Sequence, residues 1–270
     1  MKTRIVTALL LLPIAVAAVW YLPNGYFAIL IAAMIGVGAW EWAGLAQLGK
    51  RARPLYIALI WLLCAAAWRL SAEADALRLL LAVAGLWWLA ATAWVLAYPA
   101  GLPQNEPRRL LVALAGVLAL VPAFVALARL QGSADGPLRV LSLFGLIWAA
   151  DTGAYFAGRS LGRRKLAPAV SPGKTWEGLA GGMLASAVLA LVAAWLLKLD
   201  GARIGGFLAL AAVTVAVSVI GDLTESMFKR HAGLKDSGGL FPGHGGMLDR
   251  ADSMLAAAPC YLLGLMLLGI

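Results

Sequence analysis

The feature that most constrains this chain is a succession of apolar runs, each close to the ~20 residues a helix needs to cross bilayer hydrocarbon. About nine are marked off by charge, Pro or Gly, at 5–22, 26–46, 54–70, 77–98, 109–130, 138–158, 177–197, 204–226 and 251–270. Hydrocarbon offers no partner to an unpaired backbone group, so a spanning segment must be a helix or a strand of a closed barrel. No run alternates apolar and polar residues as barrel strands do. The expected fold is all-α, a polytopic integral membrane protein with about nine transmembrane helices. Of the 270 residues 63% are hydrophobic and 13% charged, too little polar surface to cover a water-soluble core of this size. An aqueous enzyme, a coiled coil and a disordered tail are excluded.

Threading nine spans sorts the cations. One side receives Lys2, Arg4, Lys50, Arg51, Arg53, Arg108, Arg109, Arg159, Arg163, Arg164, Lys165, Lys174, Lys229, Arg230, Lys235 and Arg250, which is 16 of the 22 Lys and Arg. The other keeps Arg69, Arg78, Arg129, Arg139, Lys198 and Arg203. By the positive-inside rule the richer side, with the N-terminus, is cytoplasmic. The net charge of +9 is thereby a topology signal, and no nucleic-acid partner is expected. The opening MKTR and its apolar run read as a retained helix, because the run continues through Val19, Trp20 and Leu22, long for a cleaved signal. Cys64 and Cys260 sit in different runs without a CxxC, so neither a disulfide framework nor a zinc finger is indicated.

Polarity divides the chain into 1–135, hydrophobic transmembrane helices with short loops, and 136–270, a catalytic transmembrane region with polar loops at 159–176 and 227–250. Eight of the 13 acids fall between Asp151 and Asp252, so chemistry is expected in the second half. Its first constellation spans 146–178. Asp151 lies about two turns inside an apolar run, costly unless it faces a cavity or a partner. Gly153, Ala154, Ala157 and Gly158 permit close helix approach, and Tyr155 shares Asp151's face. Arg159, Arg163, Arg164 and Lys165 serve as topology signals or as a cationic surface for anionic lipid or phosphate. Gly173-Lys174-Thr175 resembles the end of a P-loop, but Pro168 stands where that pattern needs Gly and no preceding strand is expected. Ser171 to Thr175 reads instead as a turn feeding a helix, with Glu177 in its first turn, a terminus suited to phosphate.

The second constellation spans 221–253. If the eighth helix continues to Arg230, Asp222, Ser226 and Lys229 fall on one face with Glu225 beside them. Gly238, Gly239, Gly243, Gly245 and Gly246 follow within nine residues, with His244 among them, and such loops aim N–H groups at anionic oxygens. Asp249 and Asp252, three apart at the start of the last helix, supply paired hard oxygens of the kind Mg²⁺ takes from a protein. A membrane setting, carboxylates for a divalent ion and many cations point to phosphoryl or nucleotidyl transfer on a lipid, where positioning and charge neutralisation dominate.

The run Ser226-x-Phe228-Lys229-Arg230-x4-Lys235-Asp236-x-Gly238-x2-Phe241-Pro242-x-His244-Gly245-Gly246-Met247-x-Asp249-Arg250-Ala251-Asp252 closely resembles the signature of the phosphatidate cytidylyltransferases, or CDP-diacylglycerol synthases. It matches over 27 ungapped positions, and 146–178 is similar to the same family's upstream stretch. Ala251 departs from the larger apolar residue or Thr usual there. The resemblance implies a membrane enzyme, with Mg²⁺ alone or Mg²⁺ and a second metal ion as cofactors, that joins CTP and phosphatidate into CDP-diacylglycerol and pyrophosphate. It also implies a homodimer among membrane lipids in the bacterial inner membrane, its active site facing the cytoplasm.

Carried onto this sequence, Asp222, Asp249 and Asp252 would hold the metal or metals. Lys229, Arg230, Lys235 and Arg250 would meet phosphate charge, with Asp236 beside them and Gly245 and Gly246 supplying N–H donors. His244 would orient or protonate an oxygen. Substrate contacts are expected from Asp151, Arg159, Ser171, Lys174, Thr175, Glu177 and Ser226. Two rivals stand beside this reading. A CDP-alcohol phosphotransferase would carry a DxxDGxxAR run, and none is found. A cation- or proton-coupled transporter would use intramembrane Asp151 and Glu41, commonly with paired repeats and broken helices.

Overall fold

A computed structural model describes residues 2–98, 106–240 and 245–270. Nine helices lie among them: α1 (Lys2–Tyr21), α2 (Asn24–Leu45), α3 (Ala52–Leu70), α4 (Ala74–Leu96), α5 (Glu106–Gln131), α6 (Gly136–Leu161), α7 (Trp176–Leu196), α8 (Gly201–His231) and α9 (Leu248–Leu268). From α2 onward, eight are long and apolar enough to cross a membrane. The 31 residues of α8 make ~46 Å of helix, well beyond a ~30 Å hydrocarbon layer, so its charged C-terminal turns extend past the core.

One departure from the all-helical expectation lies between α6 and α7. Lys165–Ala167 (β1) and Ser171–Thr175 (β2) pair antiparallel, with Lys165 opposite Thr175 and Ala167 opposite Ser171. The segment expected to be a turn is thus a strand, and one ground for setting aside a P-loop, the missing strand, falls. The other holds, and Gly173-Lys174-Thr175 sits inside the strand rather than in a loop after it. Thr175 ends the hairpin as the N-cap of α7, its hydroxyl accepting from Gly178 N at 3.1 Å.

Helix ends are joined at two opposite faces. At one, the Asn24 amide donates to Ala128 O and Gln131 Oε1, both at 2.8 Å, and Arg129 donates to Ser71 Oγ at 2.9 Å. At the other, Arg108 at the start of α5 donates to the His231 carbonyl at the end of α8. Through the middle runs α5, with Ala119, Leu120, Ala123, Val125, Ala126 and Leu130 buried. It receives hydrogen bonds from Trp42 of α2, to Val112 O at 2.7 Å, and Tyr56 of α3, to Ala113 O at 2.8 Å. Phe228 stands between Trp42 and Trp94, edge to face with ring centroids 5.7 Å from each, and so fastens the charged end of α8 to α2 and α4.

Small residues set the other close contacts. A Cβ on Gly153 would lie 2.6 Å from Gly181 O, and one on Gly182 2.7 Å from Ala150 O, so α6 and α7 pack backbone to backbone. Gly221 does the same for α8 and α9, where an added Cβ would collide with Asp252 O and lie 3.0 Å from Ala256 Cβ. Gly221→Ala is therefore expected to destabilise the protein by about 1–3 kcal/mol through overpacking. Gly85→Ala, whose Cβ would meet nothing within 4 Å, should not. The check is the Tm of each purified variant in detergent; equal values would show that α8 and α9 are free to separate.

Candidate active site

The second constellation folds into two adjoining polar clusters at the His231 end of α8. In the first, Lys174 of β2 reaches Asp222 of α8, Nζ to Oδ2 at 2.8 Å, with both side chains about a quarter to a third exposed. Ser226, one turn on, donates to Asp222 Oδ1 at 3.3 Å. Asp151 of α6 lies within electrostatic reach of Asp222, of Lys174 and of Arg250 of α9. The hairpin and the last helix thus meet around Asp151, although Lys174 and Arg250 are some 75 residues apart in sequence.

The second cluster begins one helical step away. Lys229 Nζ lies 3.2 Å from Glu225 Oε1 and 2.5 Å from Asp249 Oδ1. Asp249 Oδ2 accepts from Ser237 N at 2.9 Å and Gly246 N at 2.7 Å, with the Ser237 hydroxyl also at 2.9 Å. Three donors thus converge on Oδ2 while Lys229 takes Oδ1. Asp249, one of the three carboxylates expected at the metal, accepts here from the protein's own donors. Gly246, expected to offer its N–H to substrate, turns it onto Asp249. A positive φ of 82° at Gly245, accessible to glycine at little cost, makes the tight turn that allows this.

Asp252 adjoins the second cluster. It stands beside Glu225 and within electrostatic reach of Asp222. The buried Glu225 carboxylate pairs with Lys229 and has the Asp252 carboxyl as its neighbour. Carboxylates held this close need a shared proton or a cation between them. Among the described residues no three His, Cys, Asp or Glu side chains form a group able to hold a metal ion alone. Asp222 and Asp252 nonetheless fit Mg²⁺, which usually takes one or two carboxylates and completes its shell with substrate phosphates and water.

Other expected residues take different places. Glu177 Oε2 accepts from the backbone N–H groups of Arg163, at 3.0 Å, and Arg164, at 3.2 Å, so it secures the chain entering the hairpin rather than awaiting an anion. Thr175 is occupied as a helix cap, and Ser171 is half-buried in β2. Arg230, Lys235 and Asp236 are exposed at the end of α8 and in the loop after it. His244 lies outside the described residues.

Sequence reasoning missed Glu41 as a part of this arrangement. It belongs to α2, in the half from which no chemistry was expected, and is 6% exposed. Its oxygens accept from Met247 N at 3.0 Å and Leu248 N at 2.8 Å, and the Ser237 hydroxyl lies 3.0 Å from Oε2. A lone acid in an apolar run was the available signal, and it was read as a transporter residue. With its oxygens engaged on the start of α9, Glu41 gives that reading no support.

Beside the first cluster opens a cavity of about 380 Å³, with Asp151, Arg159 and Lys174 among its polar lining and Leu166, Leu179, Val215 and Val219 on its walls. Arg159 is held toward Tyr155, Nη1 to the hydroxyl at 2.9 Å. The cavity adjoins an apolar groove of about 430 Å³ that shares Leu166, Leu179 and Val219 and continues along Val170, Trp176 and Ile220. A charged chamber leading into a hydrocarbon-lined groove suits a molecule with an anionic head and an apolar tail.

The chain was compared with known proteins. The Cytidylyltransferase family model matches residues 2–268. A phosphatidate cytidylyltransferase of Pseudomonas aeruginosa is 44% identical over 264 residues, covering 97% of this chain and 95% of that one. One from Haemophilus influenzae is 39% identical over 279 residues, covering 97% of each. One from Bacillus subtilis is 50% identical over 117 residues, 42% of each chain. With the match running through all nine helices and both polar clusters, the chain belongs to the cytidylyltransferase family.

Proposed function

We propose that this chain transfers the cytidylyl group of CTP to phosphatidate, giving CDP-diacylglycerol and pyrophosphate. The observation that carries the reading to this site is the Lys174–Asp222 pair beside a cavity that runs from charged to apolar. A phosphate oxygen of phosphatidate attacks the α-phosphorus of CTP in line. The new P–O bond forms as the bond from that phosphorus to the bridging β-phosphate oxygen breaks, and pyrophosphate leaves with the electron pair.

Each cluster supports a distinct part of that step. Lys174 and Arg159, beside the cavity, meet the phosphate of the lipid, whose chains follow the apolar groove. Lys229 has three N–H donors, two of them directed at Glu225 and Asp249, and the third addresses a phosphate oxygen of the nucleotide. Arg250, Arg230 and Lys235 add positive charge where pyrophosphate departs. Asp222 and Asp252 would hold Mg²⁺, which would neutralise triphosphate charge. The enzyme works as a homodimer in the bacterial inner membrane, with this end toward the cytoplasm, an orientation that the 16-to-6 division of cations supports.

Incubation with radiolabelled CTP, phosphatidate and Mg²⁺ should move label into the lipid phase, and omission of Mg²⁺ should abolish the transfer. Consumption of CDP-diacylglycerol with serine or glycerol phosphate, and no labelling of phosphatidate, would replace this reading with the phosphotransferase one. Orientation has its own test, in a background lacking Cys64 and Cys260. Ser160→Cys and Lys235→Cys should react only with reagents admitted to the cytoplasm, and Ala134→Cys only with reagents outside. Labelling of Ala134→Cys and Lys235→Cys from one side would overturn the topology.

A further inference from the structure

We infer that Glu41 is a positioning residue for the transfer reaction, the point from which the N-terminal half holds the 237–249 segment in working geometry. The inference rests on the proposed place of Lys229 and Asp249 in the site. Its ground is a continuous path of contacts across three helices. Glu41 of α2 accepts Met247 N and Leu248 N, the entry to α9, at 3.0 and 2.8 Å. The Ser237 hydroxyl lies 3.0 Å from Glu41 Oε2 and 2.9 Å from Asp249 Oδ2, its single proton serving one at a time. Asp249 then holds Lys229, and Lys229 contacts Glu225.

The loop is built around that carboxylate. A Cβ on Gly238 or Gly246 would collide with Glu41 Oε1, so both glycines are places where backbone must come close to the acid. The acid's charge also suits its position, since the first N–H groups of α9 have no partners within the helix and carry the positive end of its dipole. An apolar residue in its place would leave the Met247 and Leu248 amides without an acceptor and turn the Ser237 hydroxyl wholly to Asp249. Gln would keep one acceptor oxygen and set an NH₂ against a donor. In either case the loop, and with it Asp249 and the Lys229 ammonium, would shift. A displacement near 1 Å at a catalytic group lowers rate by up to about a hundredfold.

The test compares Glu41→Gln, Ser237→Ala, Asp249→Asn and Tyr56→Phe in the purified full-length enzyme. Tyr56→Phe breaks a buried α3–α5 hydrogen bond, to Ala113 O, that is no part of the Glu41–Ser237–Asp249 path. Glu41→Gln should lower kcat by about ten- to a hundredfold, with KM for CTP changed by less than about threefold. It should also speed amide hydrogen exchange over 245–249. Tyr56→Phe should lower Tm and leave kcat and that exchange unchanged. A Glu41→Gln kcat within about twofold of the parent overturns the inference. So does a kcat loss that Tyr56→Phe reproduces at equal loss of Tm. If Glu41→Gln does not fold, Ser237→Ala decides, because it removes only the hydroxyl between the two carboxylates; kcat loss beyond about twofold upholds the inference and a smaller one overturns it. Normal turnover in Asp249→Asn would mean that the proposed site itself has failed, whereas an inactive Asp249→Asn beside a fully active Glu41→Gln sinks the positioning role alone.

Discussion

Asp249→Asn should lower kcat by about two to three orders of magnitude while leaving the Mg²⁺ concentration at half-maximal rate close to that of the parent. Asp222→Asn and Asp252→Asn should do the opposite on the second count, raising that concentration by about tenfold or more, the usual cost of losing one ligand or its support. The contrast follows from how each carboxylate is engaged. Asp249 is engaged by Lys229, Ser237 and Gly246, so a metal would compete with donors already in place. Asp222 has one short ion pair and one long hydrogen bond, and Asp252 confronts a second buried carboxylate, Glu225. An amide at 249 keeps one acceptor oxygen but presents NH₂ toward Lys229 or the loop N–H groups, donors facing donors. Activity measured against Mg²⁺ concentration for the three variants separates the roles. A large shift in Asp249→Asn, with none in Asp222→Asn, would return the metal to Asp249 and imply that the loop opens when substrate binds.

The parts of this molecule visible in its sequence were those governed by periodicity. Apolar runs near helix-spanning length marked all nine helices, because hydrocarbon leaves the backbone few alternatives. The spacing of Asp222, Ser226 and Lys229 anticipated a shared face, and α8 does continue to His231. Gly153, Ala157 and their neighbours announced close packing, and α6 lies against α7 as they require. The hairpin was not legible, since Lys165–Ala167 is only three residues and Ser171–Thr175 contains Pro and Gly, both depleted in strands. Its pairing is fixed by what surrounds it, including Glu177 on the incoming chain. Nor could spacing reveal Glu41, because its partners are about 200 residues away in sequence. Asp249 shows a related limit. Helical spacing told which way the side chain leaves α9, and only the folded loop decides that Ser237 and Gly246 meet it there.

Lys229→Met is the substitution expected to harm folding most. The Lys229 and Glu225 side chains are 11% and 2% exposed, and Asp249's is 8%. The ammonium is therefore the charge that lets two acids sit together in a poorly solvated place. Removing one partner of a buried ion pair costs ~3–5 kcal/mol, because the remaining charge is left without compensation. Methionine fills much of the lysine's volume, so the loss would report charge rather than a cavity. Adding Glu225→Gln should restore part of the lost stability by removing one of the orphaned acids, without restoring turnover, since Asp249 would still lack its cation and the nucleotide its ammonium. Lys229→Arg should preserve more stability than Lys229→Met, yet the broad planar guanidinium cannot reproduce a point charge between two oxygens, so its turnover should also fall. The measurements are Tm in detergent and kcat for the two single variants and the double variant. A double variant no more stable than Lys229→Met would show that Glu225 is not kept in place by Lys229. Near-normal turnover in Lys229→Met would remove the lysine from the chemistry and leave it a purely structural ion.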